Sequence, residues 1–564
     1  MSPDSQASVS NKKTKLLCAF LLTFAIELQP FQLAAYSQIA TPVRAADAVC
    51  AKCHEKIFHA YLTTPMANAS GVATDKLVPG VFLHAASQVR YRVFLKDNAG
   101  WLSYEKQTDP AVRGTLRLDY FLGSGHLGTT YLYSTNNYLL ESPIAYYPAL
   151  DSYDMKPGLG SIQHMPGALT INATCLRCHM SGVRRPDQGT EDRYQGLPFE
   201  NVGITCESCH GDTSRHVATN GASPVINPAK LAPAERDSIC ISCHLEGVTS
   251  VERAGRSVLD FRPGQNISDY LVYYGYSNAD MTRRGVSEVE QFMASTCKRT
   301  SGDAMSCMSC HDSHYSPALE ERAGFYRAKC LACHTQSKYA SAHYSATPDC
   351  TSCHMPKRGA QNIPHVAWTD HRILRDPKHN SGPDAEGTAM QELTPILPGT
   401  GSPRELALAY YNLAVNGNVS ERPHATALME QVAKSSPRDS AVLRAFAILN
   451  EWGGNAGRAA ELYREVLVLD PNSLAAQVNL GTIDAKSGNF PAAAALWRVA
   501  FARNEDLLGL AENLATLECA SGEKNRAEQV LTRLLIYSPD MPDVRQTLKE
   551  IEMGTKQCGH AVTR

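Results

Sequence analysis

Residues 206–210 read Cys206-Glu207-Ser208-Cys209-His210, and this Cys-x-x-Cys-His frame occurs seven times in the chain. The other six are Cys50/Cys53/His54, Cys175/Cys178/His179, Cys240/Cys243/His244, Cys307/Cys310/His311, Cys330/Cys333/His334 and Cys350/Cys353/His354. They use 14 of the 18 cysteines. With 19 histidines in 564 residues, chance places His after a Cys-x-x-Cys about one time in thirty. Here it stands there every time. Zinc ribbons and secreted disulfide scaffolds need paired cysteines but no such histidine. Two thiols three residues apart on one helical turn can reach the two vinyl groups of one porphyrin and form thioethers. The histidine that follows then meets the iron. The motifs therefore read as seven covalent c-type hemes, attached through these fourteen cysteines. His54, His179, His210, His244, His311, His334 and His354 are the proximal iron ligands.

On the N-terminal side of the first motif, Lys12, Lys13 and Lys15 precede an apolar run from Leu16 to Ile26, and small residues suited to cleavage follow. This is the pattern of an export signal over residues 1–46. Glu27 and Pro30 end the run before it reaches a comfortable bilayer-spanning length, so an uncleaved anchor is the lesser alternative. No later stretch is apolar enough to cross a membrane. The expectation is a mature chain without a membrane span, in the periplasm or another extracytoplasmic compartment. Lys+Arg and Asp+Glu number 54 and 56, a balance that excludes the electrostatic footprint of a nucleic-acid binder.

Residues 47–380 hold every motif and form the expected heme domain. Within it, alternation such as Val89-Arg90-Tyr91-Arg92-Val93-Phe94 and Leu116-Arg117-Leu118-Asp119-Tyr120-Phe121 predicts a small antiparallel β insertion at about 80–140. The rest of this domain reads as short helices and irregular chain, because porphyrins can supply the apolar core. Residues 381–403, rich in Gly, Pro and Thr, read as a linker. From 404 to 552 a period of 34 emerges. Gly454, Gly488 and Gly522 share it, as do Ala459, Ala493 and Ala527, the bulky set Tyr463, Trp497 and Leu531, and Pro437, Pro471 and Pro539 with Glu505 between. That period predicts tetratricopeptide repeats, with small residues where helices approach closely and bulky ones filling the gaps. Residues 553–564 are a tail. The fold class is thus mainly α: a heme-packed domain with a β insertion, followed by a helical solenoid. Cys519 and Cys558 read as packing residues or a surface thiol, and Cys297 has no evident partner.

The sixth iron position decides between outer-sphere electron transfer and substrate chemistry. Outside the motifs the heme region holds ten histidines: His59, His84, His126, His164, His216, His314, His343, His365, His371 and His379. That is enough to close seven irons. His314 lies three residues past His311, too close to serve the same iron from the opposite face, so it would reach a neighbouring heme. His216, His365 and His371 invite the same reading. Met66, Met180, Met293 and Met355 read as packing residues rather than ligands.

Residues 50 to about 375 resemble the multiheme cytochromes related to the tetraheme electron acceptor of hydroxylamine oxidoreductase, and more closely their larger bacterial relatives that append tetratricopeptide repeats. The stretches that carry this are Gly123-Ser124-Gly125-His126, Gly203-Ile204-Thr205-Cys206-Glu207-Ser208-Cys209-His210-Gly211 with His216, and Cys240-Ile241-Ser242-Cys243-His244-Leu245-Glu246-Gly247. Arg262-Pro263-Gly264, Cys310-His311-Asp312, Cys353-His354-Met355-Pro356-Lys357-Arg358 and Thr369-Asp370-His371-Arg372-Ile373 continue it. The resemblance implies mainly bis-histidine, low-potential hemes in close pairs. It points to His126, His216, His314 and His371 as distal ligands, with His84, His164, His343 and His365 next. Seven motifs and a β insertion exceed the tetraheme pattern, so heme order does not transfer.

The functional expectation is an electron carrier with redox-protein donor and acceptor, and with a repeat domain that docks a protein or peptide. The alternative is a multiheme oxidoreductase that acts on a small nitrogen or sulfur compound at one five-coordinate heme. No catalytic residue is assigned, and the carrier reading stands ahead of the enzymatic one.

Overall fold

The computed structural model describes residues 45–276, 284–334, 349–375, 392–436 and 438–559. The export signal, His343 and His379 lie outside the described residues. Among the described residues, no helix is long and apolar enough to cross a membrane.

Helix α1 (Ala45–Tyr61) carries the first motif and leaves helical geometry at His54. After it the chain enters a β module larger than the predicted 80–140. Strands β1 (Ser70–Val72), β2 (Gly80–His84), β3 (Val89–Lys96), β4 (Ala99–Lys106) and β5 (Asp109–Leu118) come first. Then follow β6 (Tyr120–Leu122), β7 (Thr129–Thr135), β8 (Tyr138–Tyr147), β9 (Ser152–Met155) and β10 (Leu169–Thr170). Strands β2 to β5 form an antiparallel meander. The second sheet runs β1-β6-β7-β8-β10, with β9 added beside β8. Their inner faces share one apolar core that includes Val89, Tyr91, Val93, Leu102, Leu118, Tyr131 and Ile144. The period of two seen in Val89-Arg90-Tyr91-Arg92-Val93 is what sends the apolar set inward and the arginines outward. Two tight hairpins use left-handed residues, Asp97-Asn98 and Asn136-Asn137, the conformation that two-residue hairpin turns require.

The remaining heme region is built of short pieces. Helices α2 (Ala173–Leu176), α3 (Glu207–His210), α4 (Ser214–Ala218) and α5 (Pro233–His244) alternate with the β11/β12 pair (Met180–Ser181, Asn201–Val202). Strands β13 (Thr249–Glu252) and β14 (Leu271–Tyr276) form a hairpin, followed by α6 (Glu288–Ala294), α7 (Thr296–Ser301), α8 (Arg322–Leu331) and α9 (Thr351–His354). A last hairpin pairs β15 (Lys357–Gly359) with β16 (Ala367–Thr369). The stretch read as a linker contributes a strand of its own. β17 (Leu393–Pro395) pairs with β14 and ties the heme region to the first repeat helix.

Eight helices then pair as four hairpins. They are α10 (Pro403–Val415) with α11 (Arg422–Ser435), α12 (Ser440–Trp452) with α13 (Ala456–Leu469), α14 (Leu474–Lys486) with α15 (Phe490–Arg503), and α16 (Leu508–Ala520) with α17 (Lys524–Tyr537). Helix α18 (Pro542–Glu552) caps the stack. The 34-residue period has a structural cause at each position. Gly454, Gly488 and Gly522 end the first helix of their hairpins with φ of 84°, 81° and 84°, a left-handed turn that glycine adopts without strain. Ala459, Ala493 and Ala527 are wholly buried where two helices touch, beside buried Tyr463, Trp497 and Leu531. Cys519 and Cys558 are not isolated thiols: they form a disulfide that ties the tail to α16. Their separation of 39 residues left no sequence cue to the pairing.

The repeats also grip the β module. Lys106 Nζ donates to Asp540 at 2.7 Å, Arg545 pairs with Asp109, and the ring of Tyr138 sits 5.5 Å from that of Tyr537. The backbone N–H of Glu505 donates to the Tyr138 hydroxyl, and that of Glu191 to Asn504 Oδ1. This edge of the solenoid is therefore filled by the chain itself.

Candidate heme-binding sites

Four motifs close one helical turn between the first cysteine and the histidine. The backbone N–H groups of His210, His311, His334 and His354 donate to the carbonyls of Cys206, Cys307, Cys330 and Cys350 at 2.9–3.0 Å. A closed turn sends both thiols and the imidazole outward from one place, as one porphyrin requires. These turns surround a cavity of about 4200 Å³, several times the ~300–1,000 Å³ of an ordinary small-molecule site. Residues of all seven motif segments line it, and so do Leu474, Val478, Asn479 and Asp506 of the repeats.

Three pairs of histidines face each other inside it. The ring centroids of His54 and His216 are 6.3 Å apart, those of His210 and His314 5.9 Å, and those of His311 and His371 6.2 Å. Their ring planes are inclined by 17°, 10° and 30°. Two metal–imidazole bonds of ~2 Å, with each ring centre about 1 Å behind its nitrogen, place coaxial imidazoles ~6 Å apart. Each pair joins the histidine of one motif with one histidine outside the motifs.

The second ring nitrogen is held in the manner that ligand histidines need. His210 Nδ1 meets the carbonyl of Ile226 at 2.8 Å, His216 Nδ1 that of Ser223 at 2.7 Å, and His371 Nδ1 that of Thr369 at 2.9 Å. His354 Nδ1 lies 2.5 Å from the carbonyl of Leu374. A carbonyl only accepts, so Nδ1 donates its proton and the Nε2 lone pair is left for iron. Neutral imidazole is the ligating form, and burial favours it at four other histidines of the cavity. Burial, with His371 and His244 beside it, pushes His311 down to about 4. Burial and neighbouring His210 lower His314, burial lowers His179, and burial with Arg322 and Lys76 lowers His126.

Asp370 sets the loop that presents His371. Burial works against its charge, but bonds from Arg372 and Arg358, at 2.7 and 3.0 Å, outweigh burial and leave it below the usual carboxylate range. Gln291 Oε1 accepts from the backbone N–H of His371 at 2.7 Å. Arg358, Asp370 and Arg372 stand in the stretches that carry the resemblance, whereas no motif marked Gln291.

The thiols also place the motifs relative to one another. Side-chain contacts join Cys50 with Cys206, Cys178 with Cys243, Cys240 with Cys307, and Cys330 with Cys350. Cys209 lies near Cys243, and Cys297 lies near Cys310 and Cys333. The contacts join the first motif to the third, the second to the fourth, the fourth to the fifth and the sixth to the seventh.

Three expected distal ligands sit elsewhere. His84 is buried in the β module, with Nε2 3.1 Å from the Gly160 carbonyl and Nδ1 2.8 Å from the Ser87 hydroxyl, so neither nitrogen is available. His365 Nε2 is 2.8 Å from Asp154 Oδ2 and its ring packs edge-on against Tyr147. His164 is exposed on the loop before β10. His126 does line the cavity, without a histidine facing it among the described residues. His343 lies outside them.

The family model described as cytochrome c554 and c-prime matches residues 152–211, which hold the second and third motifs. No curated protein matches. Among solved structures, the outer cell wall cytochrome OcwA is 15% identical, with 81% of this chain and 99% of that one covered at a TM-score of 0.36. The crystal structure of MamA is 20% identical over 24% of this chain and 81% of its own, with a TM-score of 0.23. MamA 41-end from Desulfovibrio magneticus RS-1 is 16% identical over 28% and 86%, with a TM-score of 0.25. The chain is similar to c-type cytochromes in its motif region and to repeat proteins of tetratricopeptide type beyond it. The family match supports covalently bound c-type heme.

Proposed function

We propose that this chain is an extracytoplasmic multiheme cytochrome c that moves electrons through seven covalent hemes. The observation that carries it is the set of three facing histidine pairs, His54/His216, His210/His314 and His311/His371, at the spacing of two axial ligands. Bound heme iron supplies reversible one-electron chemistry, and two imidazoles on one iron leave no position for a substrate. The chain's own work is to hold, orient and shield. Fourteen thiols anchor the porphyrins, backbone carbonyls fix the tautomer of the ligand histidines, and the repeats wall off part of the cavity. Contact between thiols of the first and third, second and fourth, fourth and fifth, and sixth and seventh motifs supports close spacing of those sites. The disulfide Cys519–Cys558 fits an oxidising compartment. A docking role for the repeats falls to the surfaces that do not grip the β module.

One observation favours the enzymatic alternative. Among the described residues, His179 and His244 line the cavity with no second histidine facing them, and His126, outside the motifs, lines it in the same way. An iron without a second imidazole there would be open to a small nitrogen or sulfur compound. The test is the holoprotein matured in a competent host. Seven heme increments in its intact mass, with reduction and reoxidation by electron mediators but no steady turnover of nitrite or hydroxylamine, support the carrier. Fewer increments refute the seven-heme reading, and sustained turnover moves the assignment to the enzyme.

A further inference from the structure

We propose that the outward face of the β2–β5 sheet is a docking surface for a protein partner with an acidic patch. The surface stands apart from the motifs, and its role does not depend on how the hemes are used. Three cross-strand rows compose it: Leu83–Arg90–Glu105–Arg113, Val81–Arg92–Ser103–Thr115, and Phe94–Trp101–Arg117. Four arginines stand there against one glutamate, although the whole chain carries a formal charge of −2. The face is therefore net positive, with Arg90 3.4 Å from Glu105 and Arg117 3.7 Å from Asp119, and with Arg92 and Arg113 in no ion pair among the described residues. Apolar groups lie between the arginines. Val81 is 59% exposed and Leu83 42%, whereas an outward strand face with no partner is ordinarily polar.

The combination of Arg with Trp and Phe is the composition that enriches the centres of protein interfaces. Trp101 Nε1 donates to the Lys96 carbonyl at 3.1 Å, which holds the indole in place, and the Arg92 guanidinium lies over Phe94 at 5.3 Å. A rigid aromatic among fixed arginines loses little entropy on binding. Four strands about 4.8 Å apart and five to ten residues long present on the order of 500 Å². That is the size of a transient contact rather than a permanent one. Charge complementarity commits the occupant to an acidic protein surface. The chain's own negative balance makes a second copy a competing outcome, and a carbohydrate polyanion is another.

The test uses full-length holoprotein, with heme content per chain as the check on folding. Two probes are titrated at low and moderate salt: a glutamate–tyrosine copolymer as acidic polypeptide, and dextran sulfate as carbohydrate polyanion. Arg90→Gln/Arg92→Gln is expected to weaken copolymer binding at least tenfold, and Arg458→Gln/Arg464→Gln on the repeats to leave it unchanged. Trp101→Ala is expected to weaken copolymer binding threefold or more and to leave dextran sulfate unaffected. Copolymer affinity that ignores the arginine pair overturns the proposal, as does equal loss in the repeat variant. A Trp101→Ala variant that treats both probes alike reduces the face to a general polyanion site. Self-association in sedimentation that disappears in Arg90→Gln/Arg92→Gln assigns the face to a second copy instead.

Discussion

Replacing His216, His314 or His371 with alanine removes one of two facing imidazoles from one iron, and the size of the effect follows from the motif count. Each pair sits at 5.9–6.3 Å, within a few tenths of the ~6 Å that two axial bonds set. No other described histidine lies across from His54, His210 or His311 in the same way. One variant should therefore convert one of seven hemes from low to high spin, a rise of about one-seventh in the high-spin fraction, and the triple variant about three-sevenths. Additivity is expected because each histidine serves a different iron. The assay is electron paramagnetic resonance of the oxidised holoprotein, with heme counted per chain so that a lost cofactor is not mistaken for a lost ligand. His84→Ala and His365→Ala are the controls, since their nitrogens are engaged by Gly160 and Asp154. An unchanged spin population in all three variants refutes the ligand assignment. So does a change in His84→Ala as large as theirs.

Asp192 is buried where the repeats meet the heme region, and burial, with Asp506 nearby, raises its carboxyl to about 6. The folded state thus binds this proton more tightly than the unfolded chain, whose carboxyl titrates near ~3.9. Stability falls as pH rises from about 4 to about 6, by on the order of 3 kcal/mol, and stays lower above that. Asp192→Asn should recover much of this at pH 7 and nothing at pH 3.5, as read by thermal denaturation; equal effects at both pH values contradict it. A side chain at Gly481 would meet the Trp497 indole at 2.5 Å, so Gly481→Ala should cost roughly 1–3 kcal/mol in denaturant unfolding of the repeats. Cys519→Ser/Cys558→Ser opens a 39-residue loop, and chain entropy sets the expected loss near 4 kcal/mol. The same variant should expose the residues after α18 to protease while spin state stays constant.

How far the sequence foretold this depends on how locally each feature is encoded. The motifs and the 34-residue period are short-range patterns, and glycines at φ above 80° with alanines at zero exposure explain that period. Strand alternation located the meander but not the extent of its partner sheet, because β8 is buried on both faces at most of its positions and so lacks the in–out period of two. The distal ligands divided along the same line. His216, His314 and His371 lie close after a motif or in a stretch of family resemblance. His84, in the strand Gly80–His84, was drawn into a side-chain and backbone hydrogen-bond network 76 residues away at Gly160. Contacts of that range leave no trace in spacing. Nor does the Cys519–Cys558 pairing, or the strand that 393–395 adds to β14.

The distribution of buried apolar residues explains why three such different architectures share one chain. The β module and the repeats each hold large apolar clusters. Between residues 296 and 375, Pro317 and Val366 are the buried apolar side chains among the described residues. Yet this segment carries three of the seven motifs on helical pieces of three to ten residues, which are too short to persist in water on propensity alone. Packing that the side chains do not supply must come from the porphyrins and from the walls around them. The repeats are one of those walls, because their inner helices reach the cavity at Leu474, Val478 and Asp506 while their last turns clasp the β module at Tyr138 and Lys106. A solenoid that only recruited partners would have no need of either contact. The geometry instead makes it a brace that holds a core of cofactors between two conventionally folded parts.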